Sequence, residues 1–141
     1  MKTFGKLTLI GLLAMFLFSA CEPDEDDTTL DARDKYVGQW HFYEYSKSSL
    51  NQSYIVVITK DATDENALDL ANLGNPGIEN ISTKGVLVGS KIVVHLQPLP
   101  NNWEIEGEGS MSNIANTQMQ WRYTITAGGN RISYNITATK Q

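Results

Sequence analysis

Apolar and polar residues alternate through most of the chain after residue 36, and this pattern predicts β-strands. The clearest case is 117–126, where Met119, Trp121, Tyr123 and Ile125 share one face and polar residues occupy the other. Successive side chains of a strand point to opposite faces, so such alternation indicates a half-buried strand. No stretch shows a convincing period of 3.6 residues, and the pattern therefore predicts an all-β domain.

Eight segments are predicted to be strands from alternation and from their β-branched and aromatic content. They are 37–45, 53–59, 67–73, 83–88, 91–96, 102–108, 117–126 and 131–138, of which 67–73 also fits a helix. Gly89-Ser90 is placed for a hairpin turn, and Pro98 and Pro100 are expected to end the fifth strand. Short loops between successive strands predict an antiparallel meander. We expect an eight-stranded up-and-down barrel, with a two-sheet β-sandwich as the alternative.

The N-terminus departs from this pattern and has the layout of a secretory signal. Lys2 and Lys6 precede an almost unbroken apolar run over 7–18. This run is too short to cross a bilayer, which takes about 20 residues. Two small residues, Ser19 and Ala20, then precede the expected cleavage point.

Cys21, the only cysteine in the sequence, follows these small residues directly. Phe18-Ser19-Ala20-Cys21 resembles a bacterial lipobox, in which the thiol takes a diacylglyceryl group and becomes the mature N-terminus. We therefore expect 1–20 to be a lipoprotein signal peptide and Cys21 to be lipidated. An ordinary secretory signal with an incidental cysteine is the alternative.

Negative charge is concentrated directly after Cys21. Residues 22–34 contain seven carboxylates and one arginine, whereas the rest of the chain is close to neutral. Like charges repel and extend a chain, so 21–34 is expected to be a lipidated acidic tether and 35–141 the barrel domain. Because no basic cluster is present in the sequence, nucleic-acid binding is not expected. The run 21–27 also resembles the acidic export tag of surface lipoproteins of Bacteroidota, which implies that the domain faces the cell exterior.

A family resemblance lies at the start of the predicted domain. Residues 31–40 resemble the opening of small Bacteroidota lipoproteins with a lipocalin-like domain, and Gly38-x-Trp40 looks like the first lipocalin element. In lipocalins this tryptophan closes one end of the barrel, and a basic side chain near the final strand packs over it. Lys140 or Arg131 fits that place here. The resemblance implies a fold and an envelope location, but no activity.

The candidate ligand-binding residues are those that the barrel would turn inward. Glu44 has the same parity as Trp40, and a buried carboxylate needs a partner. Glu44 would reach solvent at the rim, bond a tyrosine hydroxyl, or act as the polar group of a ligand cavity. The aromatic residues expected beside it are Trp121, Tyr123 and Tyr134, which also fit a packed core.

Catalytic and metal-binding patterns are not indicated by the sequence. His41 and His95 lie on different strands, and the parity of His41 directs it outward. Glu104, Glu106 and Glu108 alternate with less polar residues, which is typical of a solvated outer face. We therefore predict no enzyme activity, no metal and no cofactor.

The sequence thus predicts a lipid-anchored outer-membrane lipoprotein that acts as a binding module for a small apolar or glycan ligand. Binding in the barrel mouth would require a cavity on the order of a few hundred Å³. The alternative is a surface protein–protein interaction module with a filled barrel, which would use loops 46–52 and 74–82 or the outer face. A glycan hydrolase, as a third possibility, would need two carboxylates across a cleft.

Overall fold

The structure is a computed structural model, in which residues 30–45 and 51–141 are described. The predicted signal peptide, the predicted lipidation site at Cys21 and most of the predicted acidic tether lie outside the described residues. Within the described ranges, no helix is long and apolar enough to span a membrane.

Eight antiparallel strands form one closed barrel, in which each strand pairs with its neighbours in sequence. The strands are β1 (Gly38–Tyr45), β2 (Gln52–Lys60), β3 (Ala67–Ala71), β4 (Ser82–Val88), β5 (Lys91–Leu99), β6 (Trp103–Met111), β7 (Gln118–Ala127) and β8 (Asn130–Lys140). The barrel closes between β1 and β8, from Trp40 opposite Lys140 to Tyr45 opposite Asn135. The predicted lipocalin-like, up-and-down barrel is confirmed, and the chain does not form the alternative sandwich.

The strands β5 and β6 each extend three residues beyond their predicted ends. β5 continues through Pro98 to Leu99, so the expectation that this proline ends the strand is wrong. The pairing of β5 with β4 ends at Val93, so Pro98 lies where β5 pairs with β6 alone and a missing N–H is tolerated. β6 likewise continues to Met111, beyond its predicted end at 108.

The two ends of the barrel carry different sets of loops. We call one the closed end, where the chain enters β1 and where loops 61–66, 89–90 and 112–117 lie. We call the other the open end, and its connections are 46–51, 72–81, 100–102 and 128–129.

Trp40 fills the closed end. Its side chain is completely buried, and its indole Nε1 donates a hydrogen bond of 2.7 Å to the carbonyl of Tyr36. Lys140 places its Nζ 5.4 Å from the centre of the Trp40 ring and donates to the carbonyl of Lys35 at 3.2 Å. Of the two basic residues considered from the sequence, Lys140 therefore covers this tryptophan, whereas Arg131 pairs with Glu106 on the outer wall.

Arg33 holds the segment before β1 against the closed end. Its buried guanidinium donates from Nη1 to the carbonyls of Asp61, Asp64 and Ala67 at 3.3, 2.9 and 3.3 Å. The Asp31 carboxylate accepts hydrogen bonds from Nε and Nη2 of the same side chain, which lower the pKa of Asp31. Residues 31–34, assigned from sequence to the tether, are thus packed against the barrel.

The interior is occupied by side chains that alternate inward from all eight strands. Met119, Trp121, Tyr123 and Ile125 of β7 all point into this core, as the alternation predicts.

Two inward glycines of β6 make room for the rings of β7. A Cβ at Gly109 would lie 2.1 Å from the Trp121 indole, and one at Gly107 would lie 2.5 Å from Cβ of Tyr123. Glycine weakens a strand, and its presence here is explained by this close approach.

Candidate functional site

Glu44, Tyr54 and Tyr123 form a hydrogen-bonded group just inside the open end, which we call the Glu44 network. The Tyr123 hydroxyl donates to Oε2 of Glu44, and the hydroxyls of Tyr54 and Tyr123 are 2.7 Å apart. The three side chains are only 6%, 8% and 1% exposed, respectively. Glu44 therefore points inward, as its parity predicts, and bonds a tyrosine hydroxyl.

The strand pattern explains how these side chains meet. Glu44 lies two residues after Phe42 on β1 and so points to the same side of the sheet. Tyr54 pairs directly with Phe42 across β1 and β2, and the two rings are 5.8 Å apart. Tyr123 comes from β7, where it pairs with Tyr134 of β8. Three strands that are adjacent or nearly adjacent in the barrel thus supply one carboxyl group and two phenols.

Burial sets the protonation behaviour of the network. Removal from water raises the pKa of Glu44 because the charged form is disfavoured, and hydrogen bonds with Tyr123 and Tyr54 oppose that rise. Burial also raises the pKa of Tyr54 and of Tyr123. Both phenols therefore keep their protons at neutral pH and remain donors.

The β3–β4 loop covers part of the open end. Leu73 is buried, and a Cβ on Gly74 would lie 3.1 Å from Cδ1 of Ile105 and 3.2 Å from Cδ1 of Ile125. Gly74 has φ of +79°, a conformation that glycine adopts without strain. The Gly74 backbone also lowers the pKa of Tyr54 and so opposes the rise caused by burial, which places the loop beside the Glu44 network.

Asparagine side chains hold this loop in place. Nδ2 of Asn72 donates to the carbonyl of Ile55 at 2.9 Å, and Nδ2 of Asn75 donates to Oε1 of Gln52 at 3.0 Å. Both asparagines have positive φ, a conformation they tolerate better than most residues. The loop is therefore attached to β2 by two side-chain hydrogen bonds and packs against Ile105 and Ile125 on its inner side.

The other two candidate residues lie beside this network. Tyr134 is half-buried, and its ring centre is 5.3 Å from that of Tyr123. Trp121 is buried between Gly109 and Phe42, with 5.8 Å between the Trp121 and Phe42 ring centres. Its indole Nε1 is a buried donor with no hydrogen-bond partner in the described part of the chain.

Tyr54 is the member of the network that sequence reasoning missed. It opens the segment Tyr54-Ile55-Val56-Val57-Ile58, whose residues are apolar on both faces. The sequence of such a run does not show which face of the strand points inward. Counting back from the buried residues Val56 and Ile58 would have placed Tyr54 inward, but only after the inner face of β2 was known.

Below the Glu44 network the barrel is packed. Trp40, Phe42, Val56 and Leu70 are each completely buried, so these aromatic and aliphatic side chains occupy the space expected for a deep ligand cavity. Half-buried aromatic residues occur only nearer the open end, with Trp103 and Tyr134 among the described residues. A ligand site in this barrel is therefore a shallow one at the open end.

The outer wall carries the remaining titratable groups considered from the sequence. Glu106 and Glu108 face outward and pair with Arg131 and Lys91. His41 also lies outside, with its ring centre 4.3 Å from that of Tyr43, and His95 is exposed on β5. In residues 30–45 and 51–141, no three His, Cys, Asp or Glu side chains are grouped to hold a metal ion.

Replacing Glu44 by glutamine is expected to change how stability depends on pH. A raised folded-state pKa means that the contribution of Glu44 is fully present below its ordinary value of 4.5 and is lost as the pH rises through the raised value. The difference in free energy of unfolding between Glu44→Gln and wild type should therefore be constant at low pH and shift in favour of the variant above pH 4.5. Chemical denaturation at a series of pH values measures it.

A second variant tests whether the hydrogen bond from Tyr123 lowers the pKa of Glu44. Tyr123→Phe removes a hydroxyl that lowers the pKa of Glu44, so the loss of stability should extend to higher pH. If the free energy of unfolding depends on pH in the same way in wild type, Glu44→Gln and Tyr123→Phe, the Glu44 carboxyl has the same pKa in the folded and unfolded protein, which would contradict this prediction.

Comparisons with known proteins support the fold. No family model matches the chain, and no curated protein matches it. Among solved structures, "EF1p2_mFAP2b bound to DFHBI" is 14% identical and covers 79% of this chain and 98% of its own, with a TM-score of 0.57. A redesigned beta barrel, b11L5F_LGL, is 15% identical and covers 79% of this chain and 96% of its own, also with a TM-score of 0.57. These similarities show a shared barrel fold.

Proposed function

We propose that this chain is a lipid-anchored outer-membrane lipoprotein that faces the cell exterior and binds a small ligand at the open end of its barrel. The ligand has an apolar body and a group that can hydrogen-bond to Glu44. No catalytic role is proposed. The observation that carries the proposal is the Glu44 network, a nearly buried carboxyl group held by two phenols directly beneath the open end.

The energetic cost of such a group supports a binding role. A buried carboxyl group loses its hydration, and apolar side chains of similar volume often stabilise a protein as well or better. The barrel nevertheless keeps this polar group near the open end, where the aromatic side chains are only half-buried. A small number of well-placed polar groups among apolar walls is typical of ligand sites.

The chain path leaves this end accessible. The segment held by Arg33 enters the barrel at the closed end, so a lipid on Cys21 would leave the open end free. The barrel bound to DFHBI shares this fold, which supports small-molecule binding as a use of such a scaffold. Binding here also requires Leu73 and Gly74 to move, because they cover the side of the open end next to Ile105 and Ile125.

The proposal is tested with N-phenyl-1-naphthylamine, an apolar fluorescent amine, added to the full chain in detergent. We expect saturable enhancement of its fluorescence. Glu44→Gln should weaken binding by about tenfold, since one charge-assisted hydrogen bond contributes roughly 1.5 kcal/mol or more. Leu96→Ala, which removes an exposed apolar side chain from the outer wall, is the matched control and should bind as wild type.

Two results would count against the open-end site. One is a linear, unsaturable rise in fluorescence with protein, and the other is equal affinity in wild type and Glu44→Gln. Either result would favour the second candidate function, a surface protein–protein interaction module. The packed interior and the exposed apolar side chains of Tyr43, Tyr45 and Ile55 are the observations that support this alternative.

A further inference from the structure

The outer face of strands β7, β8, β1 and β2 differs in charge from the rest of the barrel wall. No outward carboxylate occurs on these four strands as described, although the chain as a whole is acidic. The outward carboxylates of the described strands, Asp69, Glu104, Glu106 and Glu108, lie on β3 and β6. The outward carboxylates of the described strands therefore all lie on the other half of the wall.

The strand register arranges the outward side chains of β7, β8, β1 and β2 in rows, which together we call the β7–β2 face. The first row is Gln118, Thr139, His41 and Ile55, the second is Gln120, Thr137, Tyr43 and Ser53, and the third is Arg122, Asn135 and Tyr45. Four strands and five residues along each give a surface of about 14 Å by 13 Å. Hydroxyl and amide groups thus lie on the β8 side of a line of aromatic rings, and Ser53 and Ile55 lie on the β2 side.

The aromatic rings follow β1. His41, Tyr43 and Tyr45 point outward at successive alternate positions, and the two tyrosines are 40% and 52% exposed. Where the β7–β2 face meets β6, the surface sinks into a groove of about 240 Å³. Gln120, Arg122 and Asn135 line this groove together with the Lys91–Glu108 ion pair.

We propose that the β7–β2 face binds a neutral oligosaccharide or polysaccharide along the line of Tyr43 and Tyr45. Phenol rings cover the C–H faces of sugar rings, and sugar hydroxyls both donate and accept hydrogen bonds, as do the threonine, serine and amide groups of the three rows. Existing cross-strand bonds, such as Gln120 Nε2 to Thr137 Oγ1 at 3.3 Å, are long enough to be exchanged for bonds to a ligand.

The charge distribution favours this partner over others. A cationic partner would find no outward carboxylate on these four strands as described, and an anionic one would find only the separated arginines Arg122 and Arg131, the latter already paired with Glu106. Protein interfaces have an apolar centre within a polar rim, whereas the β8 neighbours of Tyr43 and Tyr45 are the polar residues Thr137 and Asn135. This inference concerns a different surface from the open end and does not depend on the small ligand proposed there.

The test is native gel electrophoresis of the full chain in a polyoxyethylene detergent, which carries no sugar. Dextran, mannan, xylan and laminarin are included in separate gels, and polygalacturonate serves as the anionic polysaccharide. We expect at least one neutral polysaccharide to retard the protein. The double variant Tyr43→Ala/Tyr45→Ala should weaken this retardation at least tenfold, and Tyr43→Phe/Tyr45→Phe should retain most of it.

Matched controls separate the face from the rest of the molecule. Val88→Ala/Leu96→Ala removes two exposed apolar side chains from the opposite half and should migrate as wild type. Retardation is measured relative to the mobility of each variant in a gel without polysaccharide, and the dye-binding test of the open end has no bearing on it. Circular dichroism shows whether Tyr43→Ala/Tyr45→Ala remains folded, and if it does not, Tyr43→Ser alone replaces it.

Three outcomes would overturn the proposal. The first is no retardation by any of the neutral polysaccharides. The second is equal retardation of wild type and Tyr43→Ala/Tyr45→Ala. The third is a chemical cross-link to another envelope protein that depends on Tyr43 and Tyr45 while no polysaccharide alters mobility, which would make the face a protein-docking surface.

Discussion

Trp40→Ala is expected to lower the free energy of unfolding by about 3–5 kcal/mol, the range for removing a large aromatic side chain from a packed core. The Trp40 side chain is completely buried and closes one end of the barrel. Its removal also leaves the Tyr36 carbonyl without the indole donor and takes away the ring under Lys140. Urea denaturation followed by circular dichroism measures the loss.

The position of the tryptophan, rather than its residue type, should determine this cost. Trp103→Ala removes the same side chain from a half-buried site near the open end, and we expect it to cost clearly less. Lys140→Met keeps the apolar stem over Trp40 and removes the charge, so it should cost about 1 kcal/mol or less. Equal losses for Trp40→Ala and Trp103→Ala would contradict the role of Trp40 as the plug of the closed end.

Cys21→Ser is expected to move the protein completely from the membrane fraction to the soluble fraction. Each acyl methylene buried in the bilayer contributes about 0.8 kcal/mol, and stable anchoring needs more than one chain. Cell fractionation with immunoblotting measures the distribution, and mass spectrometry of the N-terminal peptide measures the acyl groups on Cys21. This expectation comes from the sequence alone, because Cys21 lies outside the described residues.

A control is needed because a secretion defect would also alter fractionation. Ser19→Thr alters the residues before the expected cleavage point while keeping the thiol, and it should leave the protein in the membrane fraction. A Cys21→Ser protein that stays in the membrane fraction, or a wild-type peptide with a free thiol, would show that the anchor is not attached at this residue.

Strand alternation was sufficient to predict most of the barrel. On β7 the period of two is unbroken, and every residue predicted to point inward is buried. Glu44 was also placed correctly, because Trp40 and Phe42 fix the parity of β1 over so short a distance. Burial follows directly from parity wherever a strand is straight and has one polar face.

Other features depend on contacts between residues distant in sequence and could not be predicted. The partner of Glu44 is Tyr123, 79 residues away, and three-strand geometry decides which of several inward tyrosines reaches it. Arg33 was assigned to a charged tether, but its guanidinium donates to three carbonyls about 30 residues later, in the β2–β3 loop and at the first residue of β3. Pro98 was expected to end β5, but β5 pairs there with β6 alone, because its pairing with β4 ends at Val93.

Closure of the barrel between β1 and β8 has a consequence for biogenesis. Pairing of residues 40–45 with 135–140 joins segments nearly a hundred residues apart, whereas all the remaining pairs join strands that are consecutive in sequence. Until the last strand has been synthesised, the nascent polypeptide presents two unpaired edges that can recruit other extended chains. Truncation within β8 should therefore produce aggregation rather than a smaller soluble domain, and a nascent chain depends on chaperones until residue 140 is available.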